Sequence, residues 1–353
     1  MAVTVRTPSV TTASTSLGYM VAEYWERKAI DELYPSLVFT DIARDGGDPC
    51  WLNIPAKKGQ LVHFHLMPVA DIVTAAIAES ADDPAAETMA LSTISAQCAQ
   101  YGKYTVLSDI VDAVALKSAL GEAAEMMALQ GMRSFDNYIY RTITGNAGAK
   151  YCGSATAASA MSATDVLTRD ELETVLLSFK NRKVQTFQNG KYKYFAHPTT
   201  LKDMRGETDD GSWYDVVKRM QSGNELRSGE VADMAGFRIV DTTEIANTTA
   251  ISGTGYAYKN VAAGYQSVGA VSLGAAAKPP KNGSGFEKNR RPGFKPPRNI
   301  KVIIKGLGTG GTADPLNRRA TVGWKWNSVV KVLDSNTDRI FTHYAASALA
   351  NTA

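Results

Sequence analysis

The chain has 353 residues, of which 44% are hydrophobic and 21% are charged, and its formal net charge at pH 7 is +3. These values are typical of a globular protein of one or two domains and exclude a disordered chain or one that is basic throughout. The cysteines, Cys50, Cys98 and Cys152, are three in number and far apart, so neither a disulfide framework nor a zinc site is predicted. No apolar run approaches the roughly 18 residues of a membrane helix, so we expect a soluble protein without a membrane partner.

The first 56 residues contain few apolar residues with a regular period. A helix is predicted from about Ser16 to Leu33, ended by Pro35, and a turn follows at "ARDGGDP". A segment with so small a core is expected to pack on something else, such as a neighbouring subunit.

Residues 57–108 have the pattern of a long, two-armed extended loop. Val62, Phe64 and Leu66 alternate with polar or larger residues, which predicts a strand. An acidic segment, "ESADDPAAE", follows at Glu79–Glu87, and the chain returns through a Thr/Ser-rich, strand-like stretch. Such a loop is longer than a compact domain normally contains without a use for it.

A helix from Ala113 to Thr144 is the strongest periodic signal. It would be about 48 Å long at 1.5 Å per residue. Its predicted apolar stripe recurs every three or four residues at Leu116, Leu120, Ala123, Met127, Gly131, Phe135, Ile139 and Ile143.

A second region of mixed helices and strands begins at Thr168, which forms a capping-box pattern with Glu171. Residues 251–298 are rich in Gly, Ala, Lys and Pro, and no element is assigned to them. The further predicted elements are strands at 191–198, 236–242, 299–305 and 320–333, a short helix at 199–206, and a helix from Trp213 to Met220.

Two patterns could indicate chemistry. Gly306, Gly308 and Gly311 match the dinucleotide-binding G-x-G-x-x-G after a predicted strand, but that motif needs a following helix, and here a strand pattern follows. His63 and His65 share one face of a strand without evident third and fourth ligands, which favours surface or interface histidines. The sequence therefore predicts no catalytic residue, no cofactor and no metal site.

One charge cluster stands out between Lys278 and Lys301. It has eight basic residues and one acidic residue, a net charge of +7, which leaves −4 for the rest of the chain. It is either a solvated, proline-stiffened loop or a contact with an acidic surface, protein or nucleic acid. The residues predicted to make contacts between subunits or with an accessory protein are Glu79, Asp82, Asp83, Glu87, Lys288, Arg290 and Arg291.

Five stretches, in this order along the chain, resemble the N4 gp56-like family of phage major capsid proteins, which has the HK97-type fold. They are "YPSLVFTDIA" (34–43), "TISAQCAQYGKYTVLSDIVD" (93–112), "FAHPTTLKDMRG" (195–206), "SGEVADMAGFRIVDTTE" (228–244) and "GTADPLNRRATVGWKW" (311–326). The sequence departs from the family at 251–298, where an insert replaces a compact strand region.

The resemblance implies an α+β, HK97-like fold with four parts. They are an N-arm (1–56), an extended E-loop (57–108), a peripheral P-domain with the long spine helix (109–164 and 311–353), and an axial αβ A-domain (165–310) that contains the insert. It also implies that Trp324, Trp326, Val329, Val330 and Val332 are core and sheet residues beside the spine helix, with Lys325 and Lys331 outside.

The function implied is that of a self-assembling shell protein of a tailed phage, assembled in the host cytoplasm around a double-stranded DNA genome. The expected partners are other copies of the chain in hexamers and pentamers, a separate scaffolding protein and the portal. A decoration protein and the packaged DNA are further candidates. Two alternatives stay open: an encapsulin-like nanocompartment shell, and a dinucleotide-dependent oxidoreductase based on the three glycines.

Overall fold

The computed structural model describes residues 38–47, 50–54, 59–67, 72, 74, 91–114, 119–206, 230–248, 251, 255–273, 300–309, 314–333 and 339–347. The helices are α1 (Thr40–Asp45), α2 (Asp109–Val114), α3 (Ala119–Asn146), α4 (Arg169–Asn181) and α5 (Pro198–Arg205). The strands are β1 (Trp51–Ile54), β2 (Leu61–Leu66), β3 (Ser92–Gln97), β4 (Ala99–Ser108), β5 (Gly148–Tyr151), β6 (Tyr192–Ala196), β7 (Glu230–Met234), β8 (Phe237–Asp241), β9 (Asn247–Thr248), β10 (Tyr256–Ala263), β11 (Val268–Leu273), β12 (Lys301–Lys305), β13 (Arg319–Val332) and β14 (Ile340–Ser347). The predicted helices at 16–33 and 213–220 lie outside the described residues.

The long predicted helix is present as α3, with a different start. It has 28 residues, about 42 Å, and it begins at Ala119, while Ala113 belongs to the separate α2. Its buried stripe includes Met127, Phe135 and Ile143. The apolar period therefore located the buried face correctly and misplaced the first turns.

A five-stranded sheet is built around β13. The strand order is β1-β11-β13-β12, and β4 pairs with the other edge of β13 over the whole of β4. The pairs are antiparallel except β1 with β11. The five residues predicted to be core residues of the last strands, Trp324, Trp326, Val329, Val330 and Val332, are all buried.

The long helix α3 packs on β13 through aromatic side chains. The rings of Trp324 and Trp326 stack with their centres 4.8 Å apart, and Phe135 meets Trp326 edge-on at 5.3 Å. A Cβ on Gly131 would lie 3.1 Å from the indole of Trp324, so a glycine permits this close approach. Gln130 accepts a hydrogen bond of 3.1 Å from the indole N–H of Trp324. Helix and sheet are thus held by both packing and a specific polar contact.

A seven-stranded sheet forms the second core. Its order is β5-β14-β10-β6-β8-β7, and β9 pairs with β10. The helix α4 covers it with Leu172, Val175 and Phe179 fully buried. Half of the predicted capping box is present: the Thr168 hydroxyl accepts a hydrogen bond from the Glu171 backbone N–H at 3.3 Å, whereas the Glu171 carboxylate accepts one from the Gly153 N–H.

The structure assigns strands within the segment that sequence analysis left without elements. β10 lies in the middle of the seven-stranded sheet, and β11 lies between β1 and β13 in the five-stranded sheet. Both are almost wholly buried. Residues 256–273 therefore supply one strand to each sheet and are not part of a surface insert. Residues 274–299 lie outside the described residues.

The described part of the segment 57–108, which the sequence predicts to be an extended loop, packs on its own subunit. β2 and β3 form an antiparallel ribbon. Its buried face, with Val62 and Phe64, packs against Val271 and Val329 in a third apolar cluster. β4 is a full strand of the five-stranded sheet. The acidic segment Glu79–Glu87 lies outside the described residues.

Residues 38–54 also pack within this chain, although sequence analysis assigned them to an extended arm. Phe39 and Ile42 are buried against the spine helix. The ammonium of Lys193, a nearly buried side chain of β6, contacts Asp45 at 2.5 Å and the carbonyl of Asp41 at 3.1 Å. Residues 38–47 are therefore anchored to the subunit, and residues 1–37 lie outside the described residues.

Candidate assembly surface

The face of the five-stranded sheet opposite α3 exposes apolar side chains. Tyr104 is 71% exposed, Val106 49% and Ile303 38%. Tyr104 and Ile303 both lie opposite Gly323 in the strand register. Because successive residues of a strand point to opposite faces, Trp324 is buried on the helix side while its neighbours face outward. We call this face the outer sheet face. Grouped apolar side chains on a surface are typical of an interaction site.

Two glycines form the floor of a groove in the outer sheet face. A Cβ on Gly323 would lie 2.8 Å from the Cβ of Tyr104, and a Cβ on Gly102 would lie 2.8 Å from the carbonyl oxygen of Trp324. The groove has a volume of about 490 Å³ and lies between β4 and β12. A side chain at either position would collide with the neighbouring strand, so the glycines permit the close approach of β4 and β13 at the floor of the groove.

Lysines surround the groove on the same face. Lys305 and Lys325 line it, and Lys301 lies directly opposite Lys325 in the antiparallel pair of β12 and β13. Like charges directly opposite each other on neighbouring strands are destabilising. A partner with acidic groups would relieve this repulsion, so the charge of the outer sheet face complements an acidic surface.

A second groove, of about 550 Å³, runs along α3 beside the edge strand β4. Lys103, Arg133 and Arg141 line it together with Glu244. The guanidinium of Arg133 forms an ion pair with Glu244 at 2.8 Å. With three cations and one carboxylate among these residues, this groove is also basic.

The buried carboxylate of Asp136 on α3 holds the base of the N-terminal segment. It accepts hydrogen bonds from the backbone N–H groups of Val38 (3.2 Å) and Thr40 (2.7 Å), and from the Thr40 hydroxyl (2.7 Å). Burial raises the pKa of Asp136 to about 6 because it disfavours the charged carboxylate. The three hydrogen bonds favour the charged form and lower the pKa, but they do not outweigh the burial. Asp136 thus fixes the position at which the chain leaves for residues 1–37.

A chain of buried polar groups crosses the seven-stranded sheet. His343 Nδ1 lies 2.8 Å from the Tyr194 hydroxyl, and its Nε2 lies 3.4 Å from the sulfur of Cys152. Burial, together with the charge of Lys150, lowers the pKa of His343 to about 3. Burial likewise raises the pKa of the Cys152 thiol. These groups are therefore neutral at ordinary pH.

All seven of the residues predicted to make contacts, Glu79, Asp82, Asp83, Glu87, Lys288, Arg290 and Arg291, lie outside the described residues. Of the basic segment, only its last residues are described, and they place Lys301 at the start of β12. Sequence analysis missed the outer sheet face because the register that sets Lys301 opposite Lys325 cannot be read from either strand alone. The signal available was "KVIIK", in which the alternate residues Lys301, Ile303 and Lys305 share one face of a strand.

The structure gives the setting of the two patterns that could indicate chemistry. β13, a strand, follows the glycine-rich turn after β12, so the dinucleotide interpretation of Gly306, Gly308 and Gly311 is wrong. His63 and His65 are exposed on β2, while Val62 and Phe64 are buried.

No helix within the described residues is long and apolar enough to cross a membrane.

Comparison with known families identifies the class of protein. A family profile described as "Phage capsid protein" matches residues 91–322, about two thirds of the chain. The chain belongs to the phage capsid protein family. No individual curated protein sequence matches it significantly.

Solved phage capsids share the fold of this capsid protein. The capsid of Ralstonia phage GP4 superposes with a TM-score of 0.68 at 10% identity, covering 99% of this chain and 100% of that chain. The capsid of cyanophage P-SCSP1u gives 0.63 at 14% identity, with 98% and 100% covered. The head of Helicobacter pylori bacteriophage KHP40 gives 0.63 at 8% identity, with 95% and 99% covered. The fold is therefore HK97-like and α+β, as the resemblance implied, and the family match makes the chain a phage capsid protein.

Proposed function

We propose that this capsid protein forms a closed icosahedral shell of hexamers and pentamers around double-stranded DNA, and that it belongs with the N4 gp56-like major capsid proteins. The observation that carries the proposal is the outer sheet face, where exposed apolar side chains surround a glycine-floored groove with a lysine rim. An isolated subunit gains nothing from that arrangement, whereas a shell subunit covers it with a neighbour.

The acidic segment Glu79–Glu87 of a neighbouring subunit is the proposed partner of the basic surfaces. Its candidate contact residues are Glu79, Asp82, Asp83 and Glu87, and those of the basic segment are Lys288, Arg290 and Arg291. Four carboxylates within nine residues complement the lysines of the outer sheet face and the +7 of residues 278–301. The interaction repeats in every copy of a symmetric shell, so a small free energy per contact is multiplied.

Assembly is proposed to take place in the host cytoplasm with a separate scaffolding protein and the portal as partners. A decoration protein and the packaged DNA are further proposed contacts. The protein is proposed to have no catalytic activity. An encapsulin-like compartment would share the fold but would enclose an enzyme as cargo, so the neighbouring genes distinguish the two.

Electron microscopy of the purified protein tests the proposal. We expect closed icosahedral shells from the wild type. Tyr104→Ser should leave the subunit folded, because this side chain is 71% exposed, but should reduce shell formation. Leu177→Ser is the matched control, since Leu177 is an exposed apolar residue on α4, away from the outer sheet face. Normal shells from Tyr104→Ser, or none from the wild type, would contradict the proposal.

A further inference from the structure

Three potential metal ligands from distant parts of the sequence meet at the edge of the seven-stranded sheet. Cys152 follows β5, Glu171 lies in the first turn of α4, and His343 lies on β14. One donor atom from each lies within 4.8 Å of the other two. Cys152 and His343 are fully buried, while Glu171 is half-buried. The cluster is therefore closed on the side of the sheet and reachable from solvent on the side of the helix.

The spacing of the two buried donors fits a single metal ion. Zinc binds sulfur at about 2.3 Å and histidine nitrogen at about 2.0–2.1 Å, which at a tetrahedral angle sets sulfur and nitrogen about 3.6 Å apart. The sulfur of Cys152 and Nε2 of His343 are 3.4 Å apart. A simple S–H···N hydrogen bond has a similar length, so the distance permits a metal without requiring one.

The surroundings of the cluster resemble the outer shell of a metal site. A ligating histidine usually has its other ring nitrogen fixed by a hydrogen bond, and here the Tyr194 hydroxyl lies 2.8 Å from Nδ1 of His343. The carboxylate of Glu171 is likewise oriented, because its Oε1 accepts a hydrogen bond of 2.8 Å from the Gly153 N–H. Asp165 adds a second carboxylate close to Gly153. Nε2 of His343 and the sulfur of Cys152 therefore face each other, with the carboxylates of Glu171 and Asp165 nearby.

We propose that Cys152, Glu171 and His343 bind a zinc ion, with water in the fourth position. Thiolate and imidazole favour zinc over calcium or magnesium, which prefer oxygen ligands. The ion would join the loop after β5 and the start of α4 to β14, in addition to the strand pairing of β5 with β14 and hydrogen bonds such as that from the Cys152 N–H to the Tyr344 carbonyl. This inference is independent of the proposed shell function, and it replaces the expectation from sequence that the chain has no metal site.

The test uses the folded, full-length subunit, stripped of metal with a chelator and titrated with zinc chloride in competition with a chromophoric chelator. We expect one zinc ion per chain and a rise in melting temperature on zinc addition. Cobalt(II) in place of zinc should give the visible absorption of a tetrahedral ion together with a thiolate-to-cobalt band in the near ultraviolet.

Matched variants assign the ligands. Cys152→Ser should abolish zinc binding, whereas Cys98→Ser, at another buried free cysteine, should retain it. Glu171→Gln should weaken binding at least about tenfold, whereas Glu173→Gln, an exposed residue on the same helix, should not. His63→Gln with His65→Gln removes the exposed pair that could bind zinc adventitiously.

The outcomes that overturn the proposal are equally definite. A folded wild type that binds no stoichiometric zinc shows that Cys152 and His343 share only a hydrogen bond. Binding that survives in Cys152→Ser but is lost in the His63→Gln, His65→Gln variant places the metal elsewhere. If Cys152→Ser does not fold, the thiolate-to-cobalt band of the wild type decides, because its absence from a folded protein excludes a cysteine ligand.

Discussion

The carboxylate of Asp136 on the spine helix accepts two hydrogen bonds from Thr40, one from its backbone N–H and one from its hydroxyl, each 2.7 Å long. The two residues are 96 positions apart in the sequence. This contact joins the base of the N-terminal segment to the longest helix.

The stability of the subunit should depend on the ionisation of Asp136. Burial raises the pKa of Asp136 to about 6, so the folded state binds this proton more tightly than the unfolded state. Its contribution to stability is therefore complete below about pH 4 and is lost as the pH rises through about 6. Asp136→Asn cannot ionise, so the stability advantage of the wild type over this variant should shrink by up to about 3 kcal/mol between pH 4 and 7.

Thermal unfolding of the unassembled subunit across this pH range measures the effect. Asp170→Asn, at an exposed residue of α4, is the control and should show little change in the difference from wild type. A wild-type advantage that grows with pH would mean that the three hydrogen-bond donors, and not desolvation, control the Asp136 carboxylate.

Phe135 should be one of the most sensitive core positions. It is fully buried and packs edge-on against both Trp326 and Trp51. Phe135→Ala should destabilise the subunit by about 3–5 kcal/mol, through lost burial and the cavity that remains, and should yield insoluble protein. Met126→Ala, at a residue of the same helix that is 64% exposed, should change the stability by less than about 0.5 kcal/mol. Denaturant unfolding measures both, and a Phe135→Ala variant that melts and assembles normally would show that the stripe is not the core.

Local sequence patterns predicted the helices and strands that bury only one face. The alternation in β13 and the stripe of α3 have one buried face each, so their periods are visible. β10 and β11 were missed because both faces of each are buried among small residues, as in "NVAAGYQSVGAV", and a strand buried on both faces has no alternation. Their identity depends on partners such as β14 and β1, which are distant in the chain.

The candidate sites depend even more on long-range pairing. Lys301 opposes Lys325 only because β12 and β13 pair in one register. Cys152 meets His343 only because β5 pairs in parallel with β14. Neither pair has a spacing that a motif could describe. The sequence did predict the class of protein, through five short stretches in order. A family resemblance depends on many positions at once, so it does not require any single contact to be predicted.

Replacing Lys325 with a neutral residue should stabilise the isolated subunit and destabilise its assemblies. Lys325→Gln removes like-charge repulsion with Lys301, so the isolated subunit should become more stable by about 0.2–1 kcal/mol. The same change removes a positive charge that an acidic partner would use, so assembled shells should dissociate at a lower salt concentration. Lys331→Gln, on the same strand, is the control. Parallel changes in subunit and shell stability would argue against an acidic partner on the outer sheet face.

Deleting Glu79–Glu87 should separate folding from assembly. The segment has four carboxylates and no large apolar side chain in nine residues, so the deleted subunit should fold, as judged by its melting temperature, but fail to close shells in electron micrographs. A variant with Glu79, Asp82, Asp83 and Glu87 changed to the corresponding amides keeps the length and removes the charge. If that variant assembles while the deletion does not, the shape of the loop and not its charge makes the contact; normal shells from the deletion would show that the segment makes no essential contact.

The basic segment should contribute an electrostatic contact that salt weakens. Lys288, Arg290 and Arg291 lie within a segment of net charge +7, in a chain whose remainder carries −4. Each exposed ion pair contributes only about 0–1 kcal/mol and is screened over about 8–10 Å at physiological salt. Because every copy in a closed shell makes the same contact, the sum over the shell is large.

An acidic protein surface is a better partner for this segment than the packaged DNA, since a shell wall that bound phosphates strongly would hinder genome packaging and ejection. Changing Lys288, Arg290 and Arg291 to Gln should therefore leave the melting temperature of the subunit unchanged and lower the salt concentration at which shells or accessory proteins dissociate. Changing Lys180, Lys183 and Lys202 to Gln alters the net charge equally at exposed positions elsewhere and should leave the salt profile unchanged. If both triple variants dissociate as the wild type does, residues 278–301 are a solvated loop; if both shift equally, the effect is one of overall charge and not of this segment.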